Sequence, residues 1–311
     1  MSMPPPTPVC DATKLELSRC FKAVSEQVQQ GVASRGGGPT TTDGGTDGAG
    51  RAANRCKLVA VSKTHPHTIL QAVYDAGCRV FGENYTHEIC EKAPLLPRDI
   101  RWHFVGHLQS NKVKELLTAA TNLDTLESLD TEKLAKKLND GVAAHWGTKD
   151  ENILNVFIQV NTSGEESKSG LPPGAAVIKL AEYVATQCPR LRLRGLMTIG
   201  MPDYTSRPEN FECLTACRKE VAAALKALYT KEGSATATNH IRTSYTAADF
   251  EESNLELSMG MSGDFMNAIG MGATNVRVGT AIFGKRSYDV MKLKGGPSGN
   301  TGDSGDETKT K

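Results

Sequence analysis

The chain has 311 residues, of which 39% are hydrophobic, so it can bury one large core or two ordinary ones. Its 36 basic and 35 acidic side chains leave a net charge of +1. That balance gives no electrostatic reason to expect nucleic acid or an anionic membrane as a partner. No apolar stretch reaches the roughly 18 residues that a membrane-spanning helix needs.

The cysteines and the N-terminal segment indicate the compartment. Eight cysteines are scattered along the chain, and none belongs to a CxxC pair. The N-terminal segment lacks the charged and then apolar pattern of a secretory signal, so free thiols are expected rather than disulfides. These features predict a cytoplasmic protein and leave a mitochondrial location open.

The first predicted element is an amphipathic helix within residues 1–30, which we expect to pack on the rest of the chain. Its apolar positions recur at helical spacing: Leu15, Leu17, Phe21, Val24 and Val28. Residues 31–55 are rich in glycine and threonine and nearly free of large apolar side chains. Such a segment cannot offset its ordering entropy, which predicts a flexible loop there and a disordered tail over residues 291–311.

Between these segments, strand-like runs alternate with helical patterns. Eight runs have strand character: 57–63, 79–84, 100–106, 122–128, 153–160, 193–200, 255–262 and 275–284. Eight strand–helix units predict a single α/β domain, a (β/α)8 TIM barrel over residues 56–290, close to the roughly 250 residues usual for that fold. An open doubly wound sheet is the alternative, but no glycine fingerprint follows the first strand, where the sequence reads SKTHP.

In a barrel, the active site lies at the C-terminal ends of the strands, so the residues there are the candidates. Strand one delivers Lys63, and the last two strands deliver Ser262 and then Gly279 and Thr280. Barrels often bind phosphate with the loops after strands seven and eight, where backbone amides and helix N-termini favour an anion. Small residues that merely allow close packing are the plainer interpretation of the same pattern.

Lys63 lies across the predicted barrel mouth from that anion site. Most lysines at strand ends are simply solvated, but an amine in a partly dry pocket has a lowered pKa and attacks aldehydes. A lysine and a phosphate cradle in one barrel fit two ligands. One is a phosphorylated sugar aldehyde, as in Schiff-base aldolases, and the other is pyridoxal 5′-phosphate (PLP).

Seven stretches resemble, in order, the pyridoxal phosphate homeostasis protein family: AVSKTHP, FGENYTHE, WHFVGHLQSNK, VNTSGEESKSGL, GLMTIG, ELSMGMSGDF and VRVGTAIFG. The resemblance implies the type III PLP fold, which is the barrel of alanine racemase, and a covalent Schiff base between PLP and Lys63. It further implies cofactor contacts by seven other residues. Those expected around the phosphate are Ser262, Arg277, Gly279 and Thr280. Asn84 is expected near the ring, with Met197 and Met261 as pocket walls.

Two functions remain open on this sequence. Alanine racemase, which this barrel resembles, adds a β domain and takes a tyrosine base from a partner subunit, whereas only 27 residues follow Gly284 here. We therefore expect a non-catalytic monomer without a metal site, which buffers PLP and delivers it to PLP-dependent apo-enzymes. A PLP-dependent racemase or lyase is the alternative. Its second base would come from the residues predicted near the mouth: Tyr85, His87, His103, His107 and Tyr204.

Overall fold

The structure is a computed structural model that describes residues 9–36, 55–165, 169–200, 208–232 and 245–284. The predicted disordered tail lies outside the described residues, as do residues 37–54 of the predicted loop. Within the described parts of the chain, no helix combines the length and apolar character needed to cross a membrane.

Eight parallel strands close into a barrel in sequence order. They are β1 Lys57–Val61, β2 Val80–Glu83, β3 Arg101–Phe104, β4 Leu123–Leu129, β5 Leu154–Gln159, β6 Leu191–Met197, β7 Glu256–Ser258 and β8 Asn275–Val278. Closure is made by β1, in which Ala60 aligns with Phe81 of β2 on one side and with Val278 of β8 on the other. The (β/α)8 prediction is confirmed, and the open-sheet alternative is wrong.

Nine α-helices are present in the described chain, and most of them cover the barrel. They are α1 Asp11–Ser34, α2 His67–Asp75, α3 Thr86–Lys92, α4 Val113–Ala119, α5 Glu132–His145, α6 Ala175–Gln187, α7 Pro208–Glu232, α8 Phe265–Gly270 and α9 Thr280–Phe283. Apolar side chains of the strands and helices form one core between the two layers. Strand interiors are buried on both faces, as expected of a parallel sheet covered by helices.

Polar side chains fill part of the barrel interior. Glu127, Ser258 and Arg277 are almost completely buried there, together with His103 and Gln159. Burying such groups is costly unless they are hydrogen-bonded, and they are bonded to one another or to backbone groups. The interior therefore supports the site above it with polar contacts as well as with apolar packing.

Three predicted boundaries are corrected by the structure. The run 275–284 is a strand only to Val278, and its second half forms the short helix α9. The run 255–262 is a regular strand only over Glu256–Ser258, although backbone hydrogen bonds to β8 continue to Gly260, whose φ is +93°. The predicted loop 31–55 begins too early, since α1 continues to Ser34 and buries Val32 completely.

Helix α1 lies against α2, α8 and α9. Its C-terminal end is tied to the barrel by Arg35, whose Nη1 donates to the carbonyl oxygens of Ile269 and Ala273, each at 2.8 Å. Nη2 of Arg35 donates to the carbonyl oxygen of Arg55 at 2.8 Å. One guanidinium group therefore joins the end of α1 and Arg55 to the end of α8 and the loop that precedes β8.

The packing of α1 predicts a large difference between two truncations on the same helix. Phe21 is buried at 3% exposure, whereas Leu15 is 52% exposed. Phe21→Ala should lower the free energy of unfolding by about 3–5 kcal/mol, and Leu15→Ala by about 0.5 kcal/mol or less. Urea unfolding followed by circular dichroism measures both. Equal losses would mean that α1 is not docked in solution.

Candidate functional site

A cavity of about 200 Å³ opens at the C-terminal ends of the strands. Its walls come from the ends of β1, β2, β3, β6, β7 and β8. The lining residues are Val61, Lys63, His65, Asn84, Val105, Ile199, Met261, Ser262, Arg277, Gly279, Thr280 and Gly284. Seven of the eight residues predicted from the sequence are therefore brought together around one space.

Met197 is the exception among the predicted residues. It is the last residue of β6, is completely buried and does not line the cavity. The described strand ends at Met197, whereas the sequence predicted a strand to residue 200. Ile199, two residues further along and on the same side of an extended chain, lines the cavity instead.

Lys63 occupies a tight turn directly after β1. The turn is closed by Ser62 N, which donates to the Gly82 carbonyl at 2.9 Å, and by His65 N, which donates to the Ser62 carbonyl at 3.1 Å. Thr64 has a φ of +68° and is the one non-glycine residue with positive φ in the described chain. A β-branched residue in that region is strained, so the turn is held in an unusual backbone conformation.

Three charged residues lie beneath this turn, and we call Glu83, Glu88 and Lys92 the carboxylate–lysine cluster. Lys92 Nζ lies 2.7 Å from Glu83 Oε1 and 2.5 Å from Glu88 Oε2. Burial raises the pKa of Glu83 to about 7, an effect that the charge of Lys92 opposes but does not cancel. Ser62 Oγ donates to the same Glu83 oxygen at 2.7 Å.

On the same cavity as Lys63, the ends of β7 and β8 form a small cradle of backbone amides. Ser262 Oγ accepts hydrogen bonds from Gly279 N at 3.2 Å and from Ala281 N at 3.4 Å. A Cβ on Gly279 would lie 3.2 Å from the Val61 carbonyl oxygen, so this position favours glycine. Two amides directed at an oxygen, with the Thr280 hydroxyl beside them, suit an anionic ligand such as phosphate.

The cradle is a turn rather than the helix start that the sequence predicted for Ser262 and Gly263. Helix α8 begins only at Phe265, because Asp264 precedes it as the N-cap residue and its carboxylate accepts from Met261 N at 2.6 Å. This bond shapes the loop so that Met261 and Ser262 both face the cavity.

Arg277 lies deeper, on β8 inside the barrel. Its Nη1 donates to Ser258 Oγ at 2.6 Å and its Nη2 to the Thr198 carbonyl at 2.7 Å. The Glu127 carboxylate lies 3.7 Å away, and burial lowers the pKa of Arg277 from its usual value. Two of its nitrogens are thus bound within the barrel, and the side chain places positive charge at the floor of the cavity.

Asn84 contributes an amide next to β2. Its Oδ1 is buried without a hydrogen-bond partner, which is uncommon for a polar atom in a folded protein. A Cβ on Gly106 would fall 2.0 Å from the Asn84 carbonyl oxygen, so the chain after β3 presses directly against this residue. The unpaired oxygen can accept a hydrogen bond from a ligand that enters the cavity.

Most of the candidate bases lie elsewhere. His103 is completely buried in the barrel interior, where its Nδ1 lies 2.6 Å from Glu127 Oε1. His107 is exposed and lies 3.5 Å from Asp130. Tyr85 and His87 are also exposed and do not line the cavity, and Tyr204 lies outside the described residues.

His65 is a lining residue that sequence reasoning missed. Its ring stacks on Phe283 of α9, with ring centroids 5.2 Å apart. Its position two residues after Lys63, in the same turn, was the available signal. No group of side chains that could bind a metal ion is found in the described parts of the chain.

The observed groups match a ligand that carries an aldehyde and a phosphate. Lys63 supplies an amine, the Ser262–Gly279–Thr280 cradle supplies amides and hydroxyls, and Asn84 has an unpaired amide oxygen, all on the lining of the cavity. Because the ring nitrogen and hydroxyl of PLP also need polar partners, the donor set fits this cofactor.

Comparisons with known proteins identify the family. Residues 49–287 match the family model of the alanine racemase N-terminal domain. A curated human protein named pyridoxal phosphate homeostasis protein is 39% identical over 287 residues, which cover 89% of each chain.

Two solved structures of PipY from Synechococcus elongatus PCC7942 are also similar. The form without PLP is 27% identical, has a TM-score of 0.57 and is matched over 86% of this chain and 100% of its own. The form with PLP bound is 28% identical, has a TM-score of 0.50 and is matched over 83% of this chain and 100% of its own. On the family model and the curated relatives together, this chain belongs to the pyridoxal phosphate homeostasis protein family, whose barrel is that of the alanine racemase N-terminal domain.

Proposed function

We propose that this chain binds PLP in the cavity at the barrel mouth and serves PLP homeostasis, holding the cofactor reversibly and delivering it to apo-enzymes. The observation that carries the proposal is the placement of Lys63 and the Ser262–Gly279–Thr280 cradle around one cavity. PLP carries an aldehyde and a phosphate at separate positions on its ring, and this placement supports binding of both groups at once. The relatives named for this role support the same proposal.

Lys63 holds the cofactor covalently. Its ε-amine would hold the aldehyde of PLP as a C=N bond, with the carbonyl oxygen released as water. Bound PLP supplies an electron-withdrawing ring that can stabilise a carbanion if an amino acid is present. Reversal by water releases the aldehyde and regenerates the amine, so a site of this kind can store and release the cofactor without a further reactant.

The cradle supplies retention that does not depend on the covalent bond. In this proposal the phosphate replaces Ser262 Oγ as the acceptor of the Gly279 and Ala281 amides, with the hydroxyls of Ser262 and Thr280 beside it. Hydrogen bonds to a charged group contribute about 1.5–3 kcal/mol each. In this proposal the phosphate contacts set the rate at which PLP leaves the cavity. The bond to Lys63 determines whether the bound PLP is a Schiff base or a free aldehyde.

A holding role agrees with the composition of the lining. A racemase needs a base on each face of the bound amino acid, yet the described lining residues include no tyrosine and no carboxylate. His65 is the one imidazole among them, and its ring is stacked on Phe283. We further propose that the chain acts as a monomer, because the barrel closes its own core.

Replacement of the anchoring lysine should remove the covalent adduct. Lys63→Ala is expected to lose the yellow absorption band and the pyridoxyl group that borohydride fixes, while weaker binding through the phosphate persists. Lys149→Ala, at a side chain that is 78% exposed, is the matched control and should retain both signals. Absorption spectra before and after reduction, with peptide mapping, provide the measurement. A reducible adduct that survives in Lys63→Ala would assign the anchor to another lysine.

Loss of a cradle hydroxyl should speed release without preventing covalent capture. Thr280→Ala is expected to raise the PLP release rate by about tenfold to a hundredfold, corresponding to one hydrogen bond to a charged group. Thr118→Ala, on the exposed side of α4, is the control and should release PLP at the wild-type rate. Transfer of PLP to an excess of an apo-enzyme, followed by recovery of its activity, measures this rate. An unchanged rate in Thr280→Ala would contradict the phosphate assignment.

The alternative function makes an opposite prediction about turnover. A PLP-dependent racemase or lyase exchanges the α-proton of its amino acid or forms product, and a holding protein does neither above the rate of free PLP. Proton NMR of the holoprotein with a panel of amino acids in D2O measures this exchange. Exchange that is faster with the protein than with free PLP, and that is lost in Lys63→Ala, would establish the enzyme.

A further inference from the structure

The carboxylate–lysine cluster is bound to the backbone on both sides of Lys63. On the N-terminal side, Lys92 Nζ donates to the Ser62 carbonyl at 3.1 Å. On the C-terminal side, Thr64 N donates to Glu88 Oε2 at 2.7 Å. The two peptide groups that flank the candidate anchor are therefore joined through a single buried ion network.

We propose that this cluster is a positioning device, which fixes the backbone around Lys63 and thereby the direction in which its ε-amine enters the cavity. The proposal rests on the proposed function, in which that amine captures an aldehyde. It assigns a role to Glu83, Glu88 and Lys92, none of which lines the cavity. They act through the turn rather than on the ligand.

The hydrogen bonds of Lys92 explain why it is not itself the reactive amine. An ammonium group has three donors, and Lys92 directs them at the Ser62 carbonyl, Glu83 Oε1 and Glu88 Oε2. Lys92 Nζ is held within 2.7 Å of both acidic side chains, and Lys92 does not line the cavity. Lys92 therefore remains a structural cation beside the turn that carries Lys63.

The strained backbone at Thr64 is a second and independent observation. Its φ of +68° is unfavourable for a β-branched residue and persists only where neighbouring contacts impose it. The hydrogen bond from His65 N to the Ser62 carbonyl also spans this residue, and strain of this kind is concentrated at functional sites. Relaxation of this residue would let the Lys63 peptide rotate.

Stability alone is a weak explanation for the cluster. Apolar residues of similar volume often stabilise a core as well as a buried ion network does, because burying the charges is costly. An ion network additionally restricts the groups that it joins to one geometry. In this structure its contacts with the β1 exit go to Ser62 and Thr64, the two immediate neighbours of Lys63.

The test compares two carboxylates on helix α3. Glu88→Ala removes the acceptor of Thr64 N, and Glu91→Ala, on an exposed face of the same helix, is the matched control. The equilibrium constant for adduct formation is measured by absorption titration with PLP, borohydride mapping checks that the adduct is on Lys63, and urea unfolding of the cofactor-free proteins is followed in parallel. We expect Glu88→Ala to lower the adduct constant about tenfold, in line with the loss of a charge-assisted hydrogen bond, and Glu91→Ala to leave it unchanged.

Two further variants distinguish a positioning role of the cluster from a general loss of protein stability. In Glu88→Gln the amide oxygen can still accept from Thr64 N and Lys92 Nζ, so most of the adduct constant should return although one charge is gone. Thr64→Gly is a second variant that removes the Cβ strain. It should weaken the adduct without lowering the urea midpoint by more than a surface change would. A result in which Glu88→Ala or Thr64→Gly is folded and forms the adduct with the wild-type constant would overturn the positioning role.

Failure of the proposed function gives a different pattern. If wild type and Glu91→Ala both form no reducible adduct on Lys63, PLP capture itself is wrong and the positioning role falls with it. If both form the adduct and Glu88→Ala forms it equally well, PLP capture stands and only the cluster's role is rejected.

Discussion

The pairing of β1 with β8 is the constraint on which the site depends. Lys63 follows the first strand and Thr280 follows the last, more than 200 positions later in the sequence. Closure aligns Ala60 with Val278, so the two strand exits become neighbours on one edge of the barrel. The amine and the anion cradle are therefore set at a fixed separation by backbone hydrogen bonds. An open sheet would place the same two residues at opposite edges.

The polar interior gives this edge a rigid support. Glu127 accepts from Ser258, which in turn accepts from Arg277, and its other oxygen meets His103. Burial alone would raise the pKa of Glu127, but these donors and charges outweigh it and hold the pKa below its ordinary value. A carboxylate that stays charged inside the barrel keeps Arg277 oriented from below. The cavity floor is thereby positively charged, although Arg277 uses two nitrogens on protein partners.

The sequence was sufficient for the barrel and for most of the lining, because both follow from periodicity and from the rule that parallel strands end on one edge. The sequence was insufficient for those lining residues and boundaries that depend on the last residue of a strand. Met197 was expected as a wall from the family resemblance, whereas β6 ends at Met197, this side chain is completely buried and the wall is Ile199. The second half of the run 275–284 has strand composition but forms α9, since the turn at Gly279 redirects the chain. His103 gave no sign of whether it faced the cavity or the interior network.

Lys63, after β1, and Lys92, at the end of α3, differ in a way that sequence patterns could not predict. Both belong to conventional strand–helix units, and nothing in their residue type separates an anchor from a structural cation. The difference is in their surroundings: Lys92 is buried among two carboxylates and one carbonyl, whereas Lys63 lines the cavity. That distribution depends on Glu83 and Glu88 reaching the same point from β2 and α3, which is a property of the packed structure. The chemical role of each lysine is therefore set by the residues packed around it. The turn that holds Lys63 is part of the site, even though most of its contacts lie outside the cavity.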